Sequence, residues 1–428
     1  MTLIEFHDQN EIENICACLT YRPERMYLIG HSAEELEQVK PRYEKILAGW
    51  NIQVEIQCKP IRRTSLRNAV ELLAQITEAH DDCVFGLTGG EEVYLTAVGI
   101  LRGQHPEKPF RLHRFNIEEG KVLEFSDSYG VERILPVPDL CVQENIRIYG
   151  GDLVQGDVVG DATYDWDVTD ELVADAQDMW AICREQPWEW NAQISVFAEA
   201  LLCGKFFDGG LTVSANINEL RKRDCGYRFN KQIIQDLLDA ELLTACYEEE
   251  GQLIIRFKDL QTRRCLSKAG QVLELRVYLN AMELAEKDEY VYGDIINGAF
   301  IDWDGVPHDE RKQNIYDTEN EIDILLMRGM LPVFISCKNG KVTPEELYKL
   351  HSVARRFGGK YARMVLVATS IPRNASGYQL RQRAADMDIR IIEDVKDMTD
   401  EQLSEQLAKC WKRLTREEKQ AMTAVPVG

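Results

Sequence analysis

The stretch NEIDILLMRGMLPVFISCKNG, Asn320 to Gly340, reads as two apolar strands around a short turn, each carrying charge where a core strand carries none. If the turn is Arg328 to Leu331, Met327 pairs with Pro332. Counting outward, Asp323 then lies opposite Ser336 and Glu321 opposite Lys338. Paired residues share a face and side chains alternate along a strand, so Glu321, Asp323, Ser336 and Lys338 project together. Ile322, Ile324, Ile335 and Cys337 fill the other side, and a slip of one residue would separate the set. On spacing alone two explanations stand: a solvated face with a surface ion pair, or a cluster that does chemistry.

The flanking sequence extends the pattern. Upstream, GQVLELRVYLNAMELAEKDEY begins at Gly270, with Val277, Tyr278, Ala281, Leu284 and Ala285 at helical spacing and Glu274 one turn ahead on the same stripe. A carboxylate on a core face requires a partner or a metal, whereas one at a helix start suits the dipole without either. Downstream, TPEELYKLHSVARRFGG predicts a helix with Thr343 as N-cap, Pro344 in the first turn and Gly358 and Gly359 at its end. ARMVLVATS is a buried strand and RIIEDV a later one. The predicted order is helix, two strands, helix, strand.

Residues 1–145 alternate short apolar runs with helical patterns, which predicts a parallel sheet wound on both sides. In VFGLTGGEEVYLTA, Val84 to Ala97, a strand runs into Thr88, Gly89 and Gly90 and then opens a helix. Paired glycines admit a ligand close to the backbone, and a helix start offers free N–H groups to an anion. Glu91 and Glu92 in that first turn would repel phosphate, so a tight structural turn explains the segment equally well. His7, Asp8, Gln9 and Asn10 after the first strand, and Gly30, His31 and Ser32 after the second, fall on the same sheet edge. Residues 146–262 form a connector: an acidic, Trp-containing stretch, helices, then a helix-plus-hairpin pattern resembling a winged helix with few basic residues.

Composition narrows the function classes. At 428 residues the chain is too long for one core. Hydrophobic content of 45% and charged content of 29% are those of a globular protein. No window suggests a membrane span, and the acidic, polar N-terminus is unlike a signal peptide, so the cytoplasm is the expected location. The 12 cysteines include no CxxC pair, which argues against structural zinc. A net charge of −22 disfavours indiscriminate binding to nucleic acid. Charge is segregated, however: Tyr149–Cys183 holds nine acidic residues and no Lys or Arg, and Leu347–Ala385 holds eight basic residues and no Asp or Glu.

Glu274 on its helix, NEIDIL, SCKNG, the following helix and strand, and an N-terminal Rossmann-like pattern with LTGG together resemble a known family. They are similar to the type III CRISPR-associated nucleases that join a CARF sensor domain to a PD-(D/E)XK restriction-endonuclease-like domain. The resemblance implies an α/β chain of three parts: a sensor at 1–145, a connector at 146–262 and a nuclease at 263–428. It implies a homodimer that binds cyclic tetra-adenylate near Thr88, Gly89 and Gly90, with His7, Asp8, Gln9 and His31 on the same edge. Glu274, Asp323 and the main-chain carbonyl of Cys337 would hold Mn²⁺ or Mg²⁺. Lys338 would orient water or neutralise developing charge, and the basic segment with Lys349, Arg355, Arg356 and Lys360 would hold the phosphate backbone. The expected activity is nonspecific cleavage of single-stranded RNA or DNA, or nicking of duplex DNA, in antiviral defence. One departure stands out: the family pattern has an acid two residues before the lysine, and this chain has Ser336, so that Glu321 or a bound water would have to replace it. The alternatives are a ligand-sensing transcription regulator with an inactive nuclease-like domain, and a nucleotide-dependent oxidoreductase, which the lack of GxGxxG disfavours.

Overall fold

The computed structural model describes residues 1–428 except 9–10, 63, 126–129, 155–162, 164–165, 224–225, 288–290, 306–318 and 425–428. The chain begins with β1 (Thr2–Phe6), α1 (Ile12–Tyr21), β2 (Arg25–Gly30), α2 (Ala33–Gly49), β3 (Glu55–Pro60), α3 (Leu66–Ala79), β4 (Cys83–Gly86) and α4 (Glu92–Gln104). It continues with β5 (Arg111–Asn116), β6 (Lys121–Phe125) and β7 (Val131–Pro136), giving one sheet of order β3-β2-β1-β4-β5-β6-β7. Strands β1 to β5 are parallel, as the alternation predicts; β6 and β7 add an antiparallel edge. Because β1 lies between β2 and β4, the direction of winding reverses there. Such a switch point leaves a crevice at the carboxyl ends of the two strands.

After α5 (Val142–Ile148) the chain places β8 (Asp152–Leu153) against the C-terminal sheet before it enters the middle segment. That segment comprises α6 (Asp170–Glu185), α7 (Pro187–Cys203), β9 (Lys205–Phe207), β10 (Thr212–Asn216), α8 (Ile217–Leu220), α9 (Lys231–Asp239), β11 (Leu243–Glu249), β12 (Gln252–Phe257) and α10 (Leu260–Cys265). Helix α9 followed by the β11–β12 hairpin is the winged-helix-like arrangement, with sheet order β11-β12-β10-β9. The C-terminal part has α11 (Gln271–Lys287), β13 (Asp294–Asp302), β14 (Glu319–Arg328), β15 (Leu331–Lys338), α12 (Pro344–Gly358), β16 (Arg363–Ala368) and β17 (Ile389–Ile392). Its sheet order is β17-β16-β15-β14-β13-β8. Strand β13 was not predicted, because Asn297 and Gly298 interrupt its apolar run. Thr343 occupies the N-cap position of α12, but its hydroxyl takes no capping bond.

Helices cover both faces of the C-terminal sheet. On one, Leu347, Leu350, Val353 and Phe357 of α12, spaced as one helical stripe, share a core with Leu325 and Phe334, with Ile12 and Ile15 of the N-terminal part and with Ile146 of α5. On the other, Val272, Leu273, Leu275 and Val277 of α11 join Ile324, Val333, Ile335 and Cys337 to Trp190, Ile194 and Phe197 of the middle segment. The three parts are thus welded through one sheet.

The hairpin has the expected register, from Arg328–Leu331 and Met327–Pro332 to Ile324–Ile335. The expected apolar face is corrected at one position. Ile322 packs into the α12-side core while Ile324 faces α11, although two residues of one strand two apart should share a face. Between the Asn297–Ile324 and Ala299–Ile322 pairs, Gly298 of β13 has φ +62°, a left-handed kink that a side chain would strain. The alternation breaks here, at Asp323.

Candidate functional site

Asp323 is 8% exposed and sits where the recorded β14–β15 pairs end. Its Oδ2 accepts the Cys337 N–H at 2.6 Å and the Ser336 hydroxyl at 3.2 Å, and the Lys338 Nζ lies 3.9 Å away. In an extended strand the N–H and C=O of one residue point the same way, so the Cys337 carbonyl is directed to the same side as the amide that meets Asp323. Glu274, in the first turn of α11, is 2% exposed. One carboxylate oxygen from each of Glu274, Glu321 and Asp323 lies within 4.8 Å of the other two. The charges that the hairpin carried singly are therefore brought together.

Two lysines balance them. Lys268, in the turn before α11, contacts Glu321 Oε1 at 2.7 Å and Glu274 Oε1 at 3.2 Å. Lys338 contacts Glu346 of α12 at 3.1 Å. Neither Lys268 nor Glu346 was singled out in the sequence, because no local pattern marks a residue whose partner comes from another element. Burial pushes the Glu274 carboxyl up to about 8, helped by the Asp323 and Glu321 charges and opposed by Lys268. Burial acts to lower the Lys338 ammonium, but Asp323 and Glu346 outweigh it and hold it above its ordinary value.

A buried acid so perturbed destabilises the metal-free protein at neutral pH. Folded Glu274 keeps its proton over a range in which the unfolded chain, at about 4.5, has lost it. Stability from this group is therefore present below the unfolded value and falls as pH rises toward 8. Glu274→Gln is expected to raise the melting temperature of the metal-free protein, by about 1 °C for each kcal/mol relieved in a chain of this length, with a gain that grows between about pH 5 and 8. Thermal unfolding across that range checks it; a gain independent of pH contradicts the assignment.

At the switch point, the residues after β1 and β4 do converge. The Gly90 N–H donates to Asp8 Oδ2 at 3.0 Å, and Gly89 lies beside the Glu13 and Asp8 carboxylates. The glycine turn already holds a protein carboxylate. Thr88 Oγ1 accepts the Phe115 N–H at 2.9 Å, so its hydroxyl serves the sheet. His7 is 8% exposed; burial lowers its imidazole below the ordinary value against the pull of Glu35 and Asp8, leaving it neutral. His31 pairs with Glu35 at 3.7 Å, and Gln9 lies outside the described residues.

The basic segment is divided between different surroundings. Lys360 is paired with Glu13 at 2.9 Å, where the Tyr361 hydroxyl also donates to Glu13. Arg356 is close enough to Glu11 to feel its charge. The far end of α12 is about 18 Å from Glu346, so these two face the N-terminal part rather than the acid cluster. Arg363 is 5% exposed and bonds Glu118 at 2.9 Å. Arg355 donates to the Gly359 carbonyl at 3.3 Å, and Lys349 is exposed on α12. Lys360 and Arg363 of this run find their acids across the fold.

No family model and no curated protein matches the chain. Among solved structures, protein VC1899 from Vibrio cholerae aligns with a TM-score of 0.67 and 16% identity over 96% of this chain and 98% of its own. Can2 from Sulfobacillus thermosulfidooxidans, solved in complex with cyclic tetra-adenylate, aligns with a TM-score of 0.66 and 16% identity over 96% of this chain and 99% of its own. No helix among the described residues is long and apolar enough to cross a membrane. Over almost its entire length, the chain has the fold of these two proteins.

Proposed function

We propose that this chain is a nuclease that hydrolyses phosphodiester bonds with a divalent cation and is switched on by a cyclic oligoadenylate at the β1–β4 switch point. The carrying observation is the Glu274, Glu321 and Asp323 carboxylates within 4.8 Å of one another, with Lys338 beside Asp323. Three converging oxygens, two of them on buried carboxyls, suit a hard cation such as Mg²⁺ or Mn²⁺. When bound, the cation would lower the pKa of a water and stabilise charge on the phosphoryl oxygens. Glu274, Glu321 and Asp323 would hold it, with the Cys337 carbonyl as a further donor. The Ser336 hydroxyl and Cys337 amide fix the Asp323 carboxylate, and Glu346 holds Lys338 where its ammonium can donate to a phosphate oxygen or to the attacking water.

Glu321 supplies the carboxylate that Ser336 lacks. Glu321→Gln is expected to weaken Mn²⁺ binding by about 10–100-fold, whereas Ser336→Ala changes it far less. Calorimetric titration without nucleic acid separates the two, and the reverse ranking contradicts the ligand set.

The activator reading draws on Can2, whose structure contains cyclic tetra-adenylate. The ring would lie across a homodimer, its symmetry matching the two-fold axis. Acceptor oxygens of Asp8 and Glu13 favour ribose hydroxyls and adenine amino groups over phosphate at the glycine turn. The substrate expectation is nonspecific cleavage of RNA, single-stranded DNA or one strand of a duplex, in type III CRISPR defence. The regulator alternative gains nothing from α9, which carries Lys231 as its one basic residue. The test is cleavage of supercoiled plasmid and of single-stranded RNA and DNA, with Mn²⁺, with and without cyclic tetra-adenylate. Cutting that needs both supports the whole reading; cutting with metal alone removes the activator, and no cutting removes the nuclease.

A further inference from the structure

We infer that Trp188 stacks an unpaired base of the strand held at the Asp323–Lys338 centre, which makes it a specificity-determining residue for single-stranded substrate. The inference rests on the nuclease reading above.

Four tryptophans lie in the middle segment. Trp166, Trp180 and Trp190 are 6%, 6% and 0% exposed, but Trp188 is 62% exposed. It stands in the first turn of α7 with its ring edge on Gly340: Cζ3 and Cη2 lie 3.7 and 3.9 Å from where a Gly340 Cβ would be. That helix start is pinned to the catalytic hairpin. The Asn339 side chain donates to Asn191 Oδ1 at 2.9 Å and to Cys183 Sγ at 3.1 Å, and Asn191 donates back to the Asn339 carbonyl. Gly340 is held on its other side, donating its N–H to Thr369 Oγ1 at 3.0 Å. Lys338 is two residues back, at most about 7 Å of chain. Gly340 thus joins the exposed ring to the strand end that carries Lys338, a span of a few nucleotides at most once both side chains are counted.

Charge selects what the ring can take. Lys338 and the exposed Lys341 flank Gly340 and favour a polyanion, while Glu189, exposed beside Trp188, disfavours a phosphate directly at the ring. A base meets both conditions. Only an unpaired base has a free face, since duplex bases cover one another. A protein partner is disfavoured because Trp188 lies outside any broad apolar patch on its helix: exposed Leu202 is about 21 Å further along α7.

The test uses the full-length chain with Asp323→Asn to prevent cutting, with Mn²⁺ and cyclic tetra-adenylate present. Fluorescence anisotropy measures binding of labelled single-stranded DNA, single-stranded RNA and duplex of equal length. Adding Trp188→Ala is expected to weaken single-strand binding about 5- to 100-fold and to leave duplex binding unchanged, with Trp188→Phe restoring most of the loss. Equal loss on single strand and duplex, or no loss, overturns the inference, as does a changed oligomeric state by light scattering, which would make Trp188 a protein contact. Wild-type cleavage that vanishes in Asp323→Asn, together with unaltered single-strand affinity in Trp188→Ala, sinks this inference alone. Absence of Asp323-dependent cleavage removes the nuclease reading and this inference with it.

Discussion

Asparagine in place of Asp323 is expected to abolish cleavage by roughly 10³-fold or more, equivalent to about 4 kcal/mol of transition-state stabilisation. The substitution keeps an acceptor for the Cys337 amide and the Ser336 hydroxyl, so the end of the hairpin stays closed and the melting temperature should barely move. It removes the charge that gathers the cation and raises the Lys338 ammonium. Lys338→Met should cost about 10²–10³-fold through loss of the donor aimed at the reacting phosphate, without the loss of Mn²⁺ affinity that Asp323→Asn brings. Single-turnover cleavage beside metal titration separates the two defects. Retained cutting by Asp323→Asn would move the active site elsewhere.

The second large effect is on stability. Gly90 has φ +95°, and a Cβ there would fall deep inside the contact distance of Phe6 Cβ. Alanine therefore combines left-handed strain with overpacking, each about 1–3 kcal/mol, so Gly90→Ala is expected to cost about 2–6 kcal/mol and lower the melting temperature markedly. Because the N-terminal part shares a core with the C-terminal sheet, the loss should reach the candidate active site as well. A Gly90 variant that fails to bind oligoadenylate thus reports on folding, and Asp8→Asn, which leaves an acceptor for the Gly90 N–H, is the cleaner probe of the crevice. Calorimetry of unfolding decides: an alanine variant within about a degree of wild type, for a change expected to cost several kcal/mol, would show that the glycine turn yields.

Local patterns were legible where one short segment contained its own physical cause. The hairpin register followed from a turn with two apolar arms, and the parallel strands of the N-terminal sheet from alternation of periods. Strand β13 was missed because its glycine serves the kink opposite Asp323 rather than the strand. The basic segment hides its partners for the opposite reason: Lys360 and Arg363 are answered by Glu13 and Glu118, more than two hundred residues away in sequence.

Sequence alone determined the α/β class, the hairpin and the suspicion that its acids and lysine belong to one centre, because alternation and pairing are properties of neighbouring residues. Only the tertiary structure decided that Lys268 and Glu346 balance the cluster and that Asp8 takes the Gly90 N–H of the glycine turn. Charge partners are chosen by distance in space and by the cost of leaving a buried charge unpaired, and neither quantity is written in the order of residues along the chain.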